Sequence, residues 1–347
     1  MATLGATYLN LMDLIKREKP DHSIATVAEI LNQQNPVLED IPWQVCNDGT
    51  QNITHVRTAL PTASLLSVGG GVPVGKSNVD AVTDITSRIG IASEVSKRII
   101  DLNGNSAAQR ALEARSMLEA INQKWANLWF YGNAYGSNTT YGIPTTVPDP
   151  LAFDGLSKRY GVTPGSAGIG EQIIDAGGTE NNGNASVWMV INGPKTICGL
   201  IPQGGGVGIK HTPVNGGTPV SKTLSNGNID EFYQDIWELH CGQKVEDYRG
   251  VVRIANIDVS NLVSESSAAD LIKLMIKGQH RLLPVEMLGT PTIYVTRTVA
   301  QMLDIQALNK AAGNLTVDTV DGKRKTMFRG YQVKVVHALS DAEARVV

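Results

Sequence analysis

The residues of this chain that most resemble working chemistry are Gly70, Gly71, Val72, Pro73, Val74, Gly75, Lys76 and Ser77. They satisfy G-x-x-x-x-G-K-[ST] in full. In that pattern backbone N–H groups cradle phosphates, the lysine reaches the β and γ oxygens, and the hydroxyl holds Mg²⁺. The chemistry also requires a strand before the loop and a helix after it, because the helix N-terminus supplies part of the field. Here Val79, Ala81, Thr83 and Ile85 alternate after Ser77, which predicts a strand. No apolar strand ends in an aspartate placed for Mg²⁺. The run 186–191 ends at Asn192, and the run 251–258 is interrupted by Arg253 and Asn256. These residues predict a glycine-rich hairpin tip, with a nucleotide-binding enzyme using the Gly70–Ser77 loop as the alternative.

The remaining reactive side chains form no constellation. The six histidines are His22, His55, His211, His240, His280 and His337, and none pairs with another at ligand spacing. No C-x-x-C or H-E-x-x-H occurs. His240 and Cys241 are adjacent at the end of an expected strand, where neighbours face opposite sides, so they make no nucleophile–base dyad. Asp235, Glu238, Glu246 and Asp247 are carboxylates that spacing alone does not bring across a cleft. Asp247 and Arg249 fall on one side of an expected strand over 247–257 and read as a solvated or interface ion-pair face. Lys323, Arg324 and Lys325 are too short a cluster for a nucleic-acid arm. No catalytic, cofactor-binding or metal-binding residue is expected, and the chain reads as a non-enzyme.

Bulk properties narrow the class. With 347 residues the chain can hold two or three substructures. A net charge of −3 gives no positive field that would draw it to nucleic acid or anionic membranes. Cys46, Cys198 and Cys241 are far apart and odd in number, which argues against a disulfide framework and for a reducing compartment. No apolar leader and no 18-residue apolar run are found, so no membrane span is expected.

The elements that must position these residues follow from periodicity. Residues 7–17 and 24–32 read as short amphipathic helices of an arm, separated by Pro20 and ended by Pro36. Strands over 52–59 and 79–91, joined by the flexible stretch 61–76, make an extended hairpin. A hairpin alone buries too little surface to be stable, so this one should lie on something else. A lead-in helix is expected over 93–102. Then comes the longest regular element, 106–129. Ala107, Ala111, Ala114, Leu118, Ile121, Trp125 and Leu128 recur in steps of four and three down one stripe. Ser106 with Gln109 reads as a capping box, and Gly132 as the stop. Further on we expect strands over 186–192, 232–240, 247–257 and 292–295. Helices are expected over 194–200, 268–283 (started by Ser267 and Asp270) and 299–308. Two closing strands fall at 325–337 and 343–347. Strands do not alternate regularly with helices, so the fold class is α+β.

This order of parts resembles the major capsid proteins of tailed bacteriophages, which share the Hong Kong 97 fold. The phrases that carry the resemblance begin with Leu31-Asn32-Gln33-Gln34-Asn35-Pro36-Val37-Leu38, Asp40-Ile41-Pro42 and Ala59-Leu60-Pro61. Asp149-Pro150-Leu151-Ala152-Phe153-Asp154-Gly155-Leu156 and Asp247-Tyr248-Arg249-Gly250-Val251-Val252-Arg253-Ile254-Ala255-Asn256-Ile257 follow. Tyr294-Val295-Thr296-Arg297, Leu303-Asp304 and Ala342-Glu343-Ala344-Arg345-Val346 complete the set.

The resemblance implies an N-terminal arm over 1–42 and an extended hairpin loop over 43–92. It implies a peripheral domain with its spine helix over 93–150, an axial domain over 151–321 and a return to the peripheral domain over 322–347. It implies an icosahedral head shell around double-stranded DNA, built in the host cytoplasm from hexamers and pentamers. A scaffold protein and portal would act during assembly, and a decoration protein could be added. Gly70, Gly71, Gly75 and Lys76 would mark a loop tip for inter-subunit contact. A nanocompartment shell is the alternative on the same fold. The residues agree independently: marginal arm helices, an unsupported hairpin and no active site suit a chain that completes its fold against copies of itself.

Overall fold

The computed structural model describes residues 35–100, 106–134, 149–206, 208–224, 227–265, 268–309, 315–320 and 323–347. The expected arm helices over 7–17 and 24–32 lie outside these residues. In chain order the described elements begin with α1 (Val37–Asp40), β1 (Trp43–Val45), β2 (Gln51–Ala59) and β3 (Asn78–Ser96). Helices α2 (Lys97–Ile100), α3 (Ser106–Tyr131) and α4 (Leu156–Arg159) follow. Next come β4 (Ile173–Asp175), β5 (Asn184–Asn192), β6 (Ile197–Ile201), β7 (Ile209–Pro213), β8 (Val220–Thr223), β9 (Ile229–Val245) and β10 (Val251–Asp258). Helices α5 (Val259–Val263) and α6 (Leu271–Leu282), strand β11 (Thr290–Val295) and helix α7 (Arg297–Asn309) lead to β12 (Leu315–Val320), β13 (Lys323–Phe328) and β14 (Tyr331–Val335). The class is α+β.

Strand β9 organises one half of the sheet. Its 17 residues pair antiparallel with β3 along one edge, from Thr86↔Gly242 to Ser96↔Phe232. Its other edge takes β6, β7 and β8 in turn. The other half is built on β5, which is buried throughout and lies between β10 and β11. Strand β14 runs parallel to β11, and β13 and β12 complete that edge. Such a mixed sheet needs cover on both faces, and two apolar cores supply it.

The first core is built on α3. Its 26 residues make a rod of about 39 Å at 1.5 Å per residue. Its C-terminal half buries Ile121, Trp125, Ala126, Leu128, Trp129 and Phe130. The indoles of Trp125 and Trp129 lie 5.3 Å apart, and Trp43 of β1 packs 6.1 Å from Trp125. The N-terminal half is wetter: Ala114 is half-buried, while Ala111 and Leu118 are exposed. The side chains of Ala107, Ser106 and Gln109 lie outside the described residues. The helix ends at Tyr131, and Gly132 follows where the chain crosses too closely for a side chain. A Cβ at that position would sit 2.2 Å from the Phe153 carbonyl oxygen.

The second core lies under α6 and α7. Leu271, Ile272, Leu274, Met275 and Leu282 of α6 and Val299, Met302 and Leu303 of α7 pack on β5, β10 and β11. Asp270 starts α6 by accepting the Lys273 N–H at 3.2 Å. Gln306 of α7 completes the cap: its Oε1 accepts the Leu271 N–H at 3.0 Å, and its Nε2 donates to the Ala269 carbonyl at 2.8 Å.

Four expectations are corrected. Residues 197–201 form β6 rather than the end of a helix, since this buried, Ile-rich stretch finds a parallel partner in β1 and an antiparallel one in β9. The expected lead-in helix over 93–102 is strand to Ser96 and helix only over Lys97–Ile100, because pairing with β9 runs on through Ser96. Residues 343–347 form no strand; Glu343 makes a single bridge to Asn184. Asp247 and Arg249 do not share a strand face. They lie at a one-turn 3₁₀ helix, where the Asp247 carboxylate accepts the Arg249 backbone N–H and pairs with its guanidinium at 2.7 Å.

Candidate functional site

The hairpin carries the loop first read for phosphate chemistry. Strands β2 and β3 pair from Gln51↔Ile85 to Ala59↔Asn78. Gly70, Gly71, Gly75 and Lys76 all lie in the exposed span between them. Ser77 is followed directly by β3, a strand of 19 residues. Among the described residues a strand rather than a helix N-terminus follows the loop, so the strand–loop–helix geometry for phosphate is not formed there. What the tip does present is apolar: Leu65, Val68 and Val74 are fully exposed, and Leu60, Leu66 and Val72 largely so. Exposed apolar side chains concentrated on one projection mark an interaction surface.

The other candidates are structural. His240 faces outward on β9, and Cys241 is fully buried beside it. Burial pushes the Cys241 thiol up to about 12 and the Cys198 thiol up to about 11, so neither is a thiolate nucleophile at neutral pH. An open groove of about 770 Å³ is lined by Arg88, Lys210 and His240 but by no carboxylate or cysteine. Among the described residues, no three His, Cys, Asp or Glu side chains could hold a metal ion, and no helix is long and apolar enough to cross a membrane.

Two polar hubs escaped the sequence reading. In the first, Arg253 of β10 is fully buried, with its guanidinium 5.0 Å above the Trp188 ring. It donates to Glu343 Oε2 at 2.8 Å, to the Tyr160 carbonyl at 2.9 Å and to Ser186 Oγ at 3.1 Å. Glu343 also accepts from the Ser186 hydroxyl, and from the Tyr131 hydroxyl at 2.6 Å. Beside it Asn256, in the left-handed region at φ 59°, accepts the Val346 N–H at 2.8 Å and donates to the Val346 carbonyl at 2.9 Å. The C-terminal segment is thereby fastened to β5, β10 and α3. A charge inside the apolar run of β10 signals a buried pair, but its partner lies 90 residues away.

The second hub holds the wetter half of α3. Arg110 donates through Nε and Nη2 to Asp235 of β9 at 2.8–3.0 Å, and its guanidinium lies 5.2 Å from the Tyr233 ring. His211 of β7 meets Asp235 at 2.9 Å and stacks on Trp237 at 5.0 Å. Burial alone would raise the Asp235 carboxyl, but hydrogen bonds from Arg110 and His211 hold it below its ordinary value.

The buried phenols make stability sensitive to base. Burial and the neighbouring Glu343 carboxylate hold Tyr131 well above the usual value of 10.0. Burial and Asp40 do the same for Tyr294, and burial with the Glu286 charge pushes Tyr331 up to about 12. A group raised in this way contributes stability that is fully present below its unfolded value and is lost as pH climbs toward the folded one. The urea midpoint should therefore fall between about pH 9 and pH 12, and Tyr131→Phe should flatten part of that fall. A midpoint that stays level over this range would show that these phenols ionise freely in the folded chain.

Known proteins resemble the chain over nearly its whole length. A family model described as major capsid protein GP7 matches residues 19–347. A chain of the cryo-EM structure of bacteriophage Epsilon15 is similar at a TM-score of 0.74 and 27% identity, over 100% of this chain and 99% of that one. A chain of the bacteriophage JBD30 capsid is similar at a TM-score of 0.49 and 10% identity, over 90% of this chain and 93% of its own. A chain of an encapsulin complex from Synechococcus elongatus gives 0.42 and 13%, over 72% and 97%. The search of curated proteins returned no match.

Proposed function

The chain belongs to the major capsid protein GP7 family, and from that premise we propose how its parts share the work of building a shell. It is a structural protein with the Hong Kong 97 fold, not an enzyme. It assembles with copies of itself into a phage capsid, and its place is the virion. Within that function we assign residues 1–42 as an arm and 43–92 as the extended loop that reaches a neighbour. Residues 93–150 and 322–347 form the peripheral domain, with α3 as its spine, and 151–321 the axial domain. The observation that carries this division is the hairpin: it projects an apolar tip that none of the described residues covers.

The finer partners come from the family resemblance, and physical chemistry is consistent with them. A subunit with net charge −3 holds a polyanion by enclosure rather than by phosphate contacts, so packaged double-stranded DNA would be restrained by volume. Heterologous contacts that close on themselves give rings, and the family resemblance makes these the pentamers and hexamers of an icosahedral shell. The family resemblance adds a scaffold protein and a portal during assembly, with a decoration protein as a further partner of the shell. The three free cysteines, all buried, fit assembly in a reducing host cytoplasm.

The test is at the tip. Replacing Leu65, Val68, Val72 and Val74 with serine should leave the unfolding transition within about 0.5 kcal/mol of wild type, because these side chains are exposed. It should also abolish closed particles under electron microscopy. Normal particles from this variant would sink the assignment of the hairpin as an inter-subunit arm.

A further inference from the structure

The hairpin leaves the body at one buried cross-strand pair. Asn52 and Asp84 are register partners and both are buried. Toward the tip, β3 residues 78–83 are all exposed. At this root the Asp84 carboxylate meets Arg159 of α4, whose Nη2 donates to Asp84 Oδ1 at 2.6 Å and to the Gln243 carbonyl of β9 at 3.1 Å. Arg159 Nε donates to the Asp154 carbonyl at 3.1 Å. Gln243, itself fully buried, donates to the Trp129 carbonyl of α3 at 3.1 Å. One guanidinium thus joins the hairpin root to α4 and β9, and through Gln243 to the buried end of the long helix.

We infer that Asp84 and Arg159 are a positioning pair: they set the angle at which the hairpin leaves the body, and so which point on a neighbouring copy its tip reaches. The inference rests on the hairpin's proposed role as an inter-subunit arm. Three observations support it beyond simple adhesion. A root that needed only stability would be served as well by apolar side chains. A planar guanidinium with directional bonds to several elements fixes orientation instead. The second Asp84 oxygen is buried without a hydrogen-bond partner, a cost that adhesion alone does not explain. Room to swing also exists, because an open groove of about 490 Å³ lies between β2 at residues 55–57 and the 246–249 turn. The lever is long: six residues from Asp84 to Asn78 at about 3.3 Å each mean that a root rotation of about 10° moves the strand end by about 3–4 Å.

The experiment expresses the full chain with the other head genes of its phage and measures particle diameters by electron microscopy, alongside thermal unfolding of the subunit. Asp84→Asn should give folded subunits whose particles lose their single diameter class, and Arg159→Lys alone, which keeps the charge opposite Asp84 but not the planar fork, should broaden that class less. Should Asp84→Asn fail to fold, Asp84→Asn with Arg159→Met removes both charges, folds, and should still give mixed diameters. A single wild-type diameter class from any folded variant lacking the pair overturns the inference. The serine tip variant separates the two readings. If it assembles normally the hairpin is not an arm, whereas if it fails to assemble while the root variants build uniform shells, the arm stands and only the positioning pair falls.

Discussion

Glu343→Ala should destabilise the subunit by about 3–5 kcal/mol, because it strands a buried guanidinium. Arg253 is fully buried, and the Glu343 carboxylate pairs with it at 2.8 Å. The same substitution takes the acceptor from the Tyr131 and Ser186 hydroxyls. Against a total stability of about 5–15 kcal/mol for a native domain, that loss takes between about a fifth and all of it. The urea midpoint of refolded material is the direct measurement. A control separates charge from shape. Arg253→Met combined with Glu343→Gln removes both charges and keeps the volume, so it should recover most of the lost stability. If Glu343→Ala unfolds at the wild-type midpoint, the hub does not hold the C-terminal segment. If the double variant is as unstable as the single one, directional hydrogen bonds rather than charge balance are what matter.

Legibility in the sequence followed the range of the interactions. The long helix and the hairpin announced themselves because their signals are local: a stripe in steps of three and four, and alternation on either side of a glycine-rich span. The core face of α6 was equally plain, and the structure buries Leu271, Ile272, Met275 and Leu282 as the spacing requires. Strand β6 is not legible because Ile197, Cys198, Gly199, Leu200 and Ile201 are too few to show a period, and β1 and β9, with which it pairs most, are remote in sequence. The buried ion pairs are invisible for the same reason. Asp84 meets Arg159 across 75 residues and Arg253 meets Glu343 across 90, and nothing in either neighbourhood names the other. The tip was seen as glycine-rich and flexible, yet its apolar side chains became informative only when the structure showed them uncovered.

Two aspartates on one stripe of the long helix should act in different ways. Ile121 is 2% exposed and sits in the aromatic core with Trp125 and Trp129. An aspartate there either carries a charge into an apolar site or neutralises by taking up a proton, at a cost of several kcal/mol in either case. Ile121→Asp should therefore yield no soluble folded subunit. Leu118 lies one helical step earlier, at 38% exposure, on the half of α3 fastened to β9 by Arg110 and Asp235. Leu118→Asp loses only the buried part of its apolar surface, about 1–2 kcal/mol, so the subunit should fold. Its effect should fall on assembly, because an apolar side chain left uncovered on the spine becomes buried when a neighbour packs there. Circular dichroism and sedimentation read the two outcomes separately. A Leu118→Asp chain that folds and builds normal particles would place the N-terminal half of α3 at a solvent face of the shell. A Leu118→Asp chain that does not fold would mean that this half of the helix belongs to the subunit core after all.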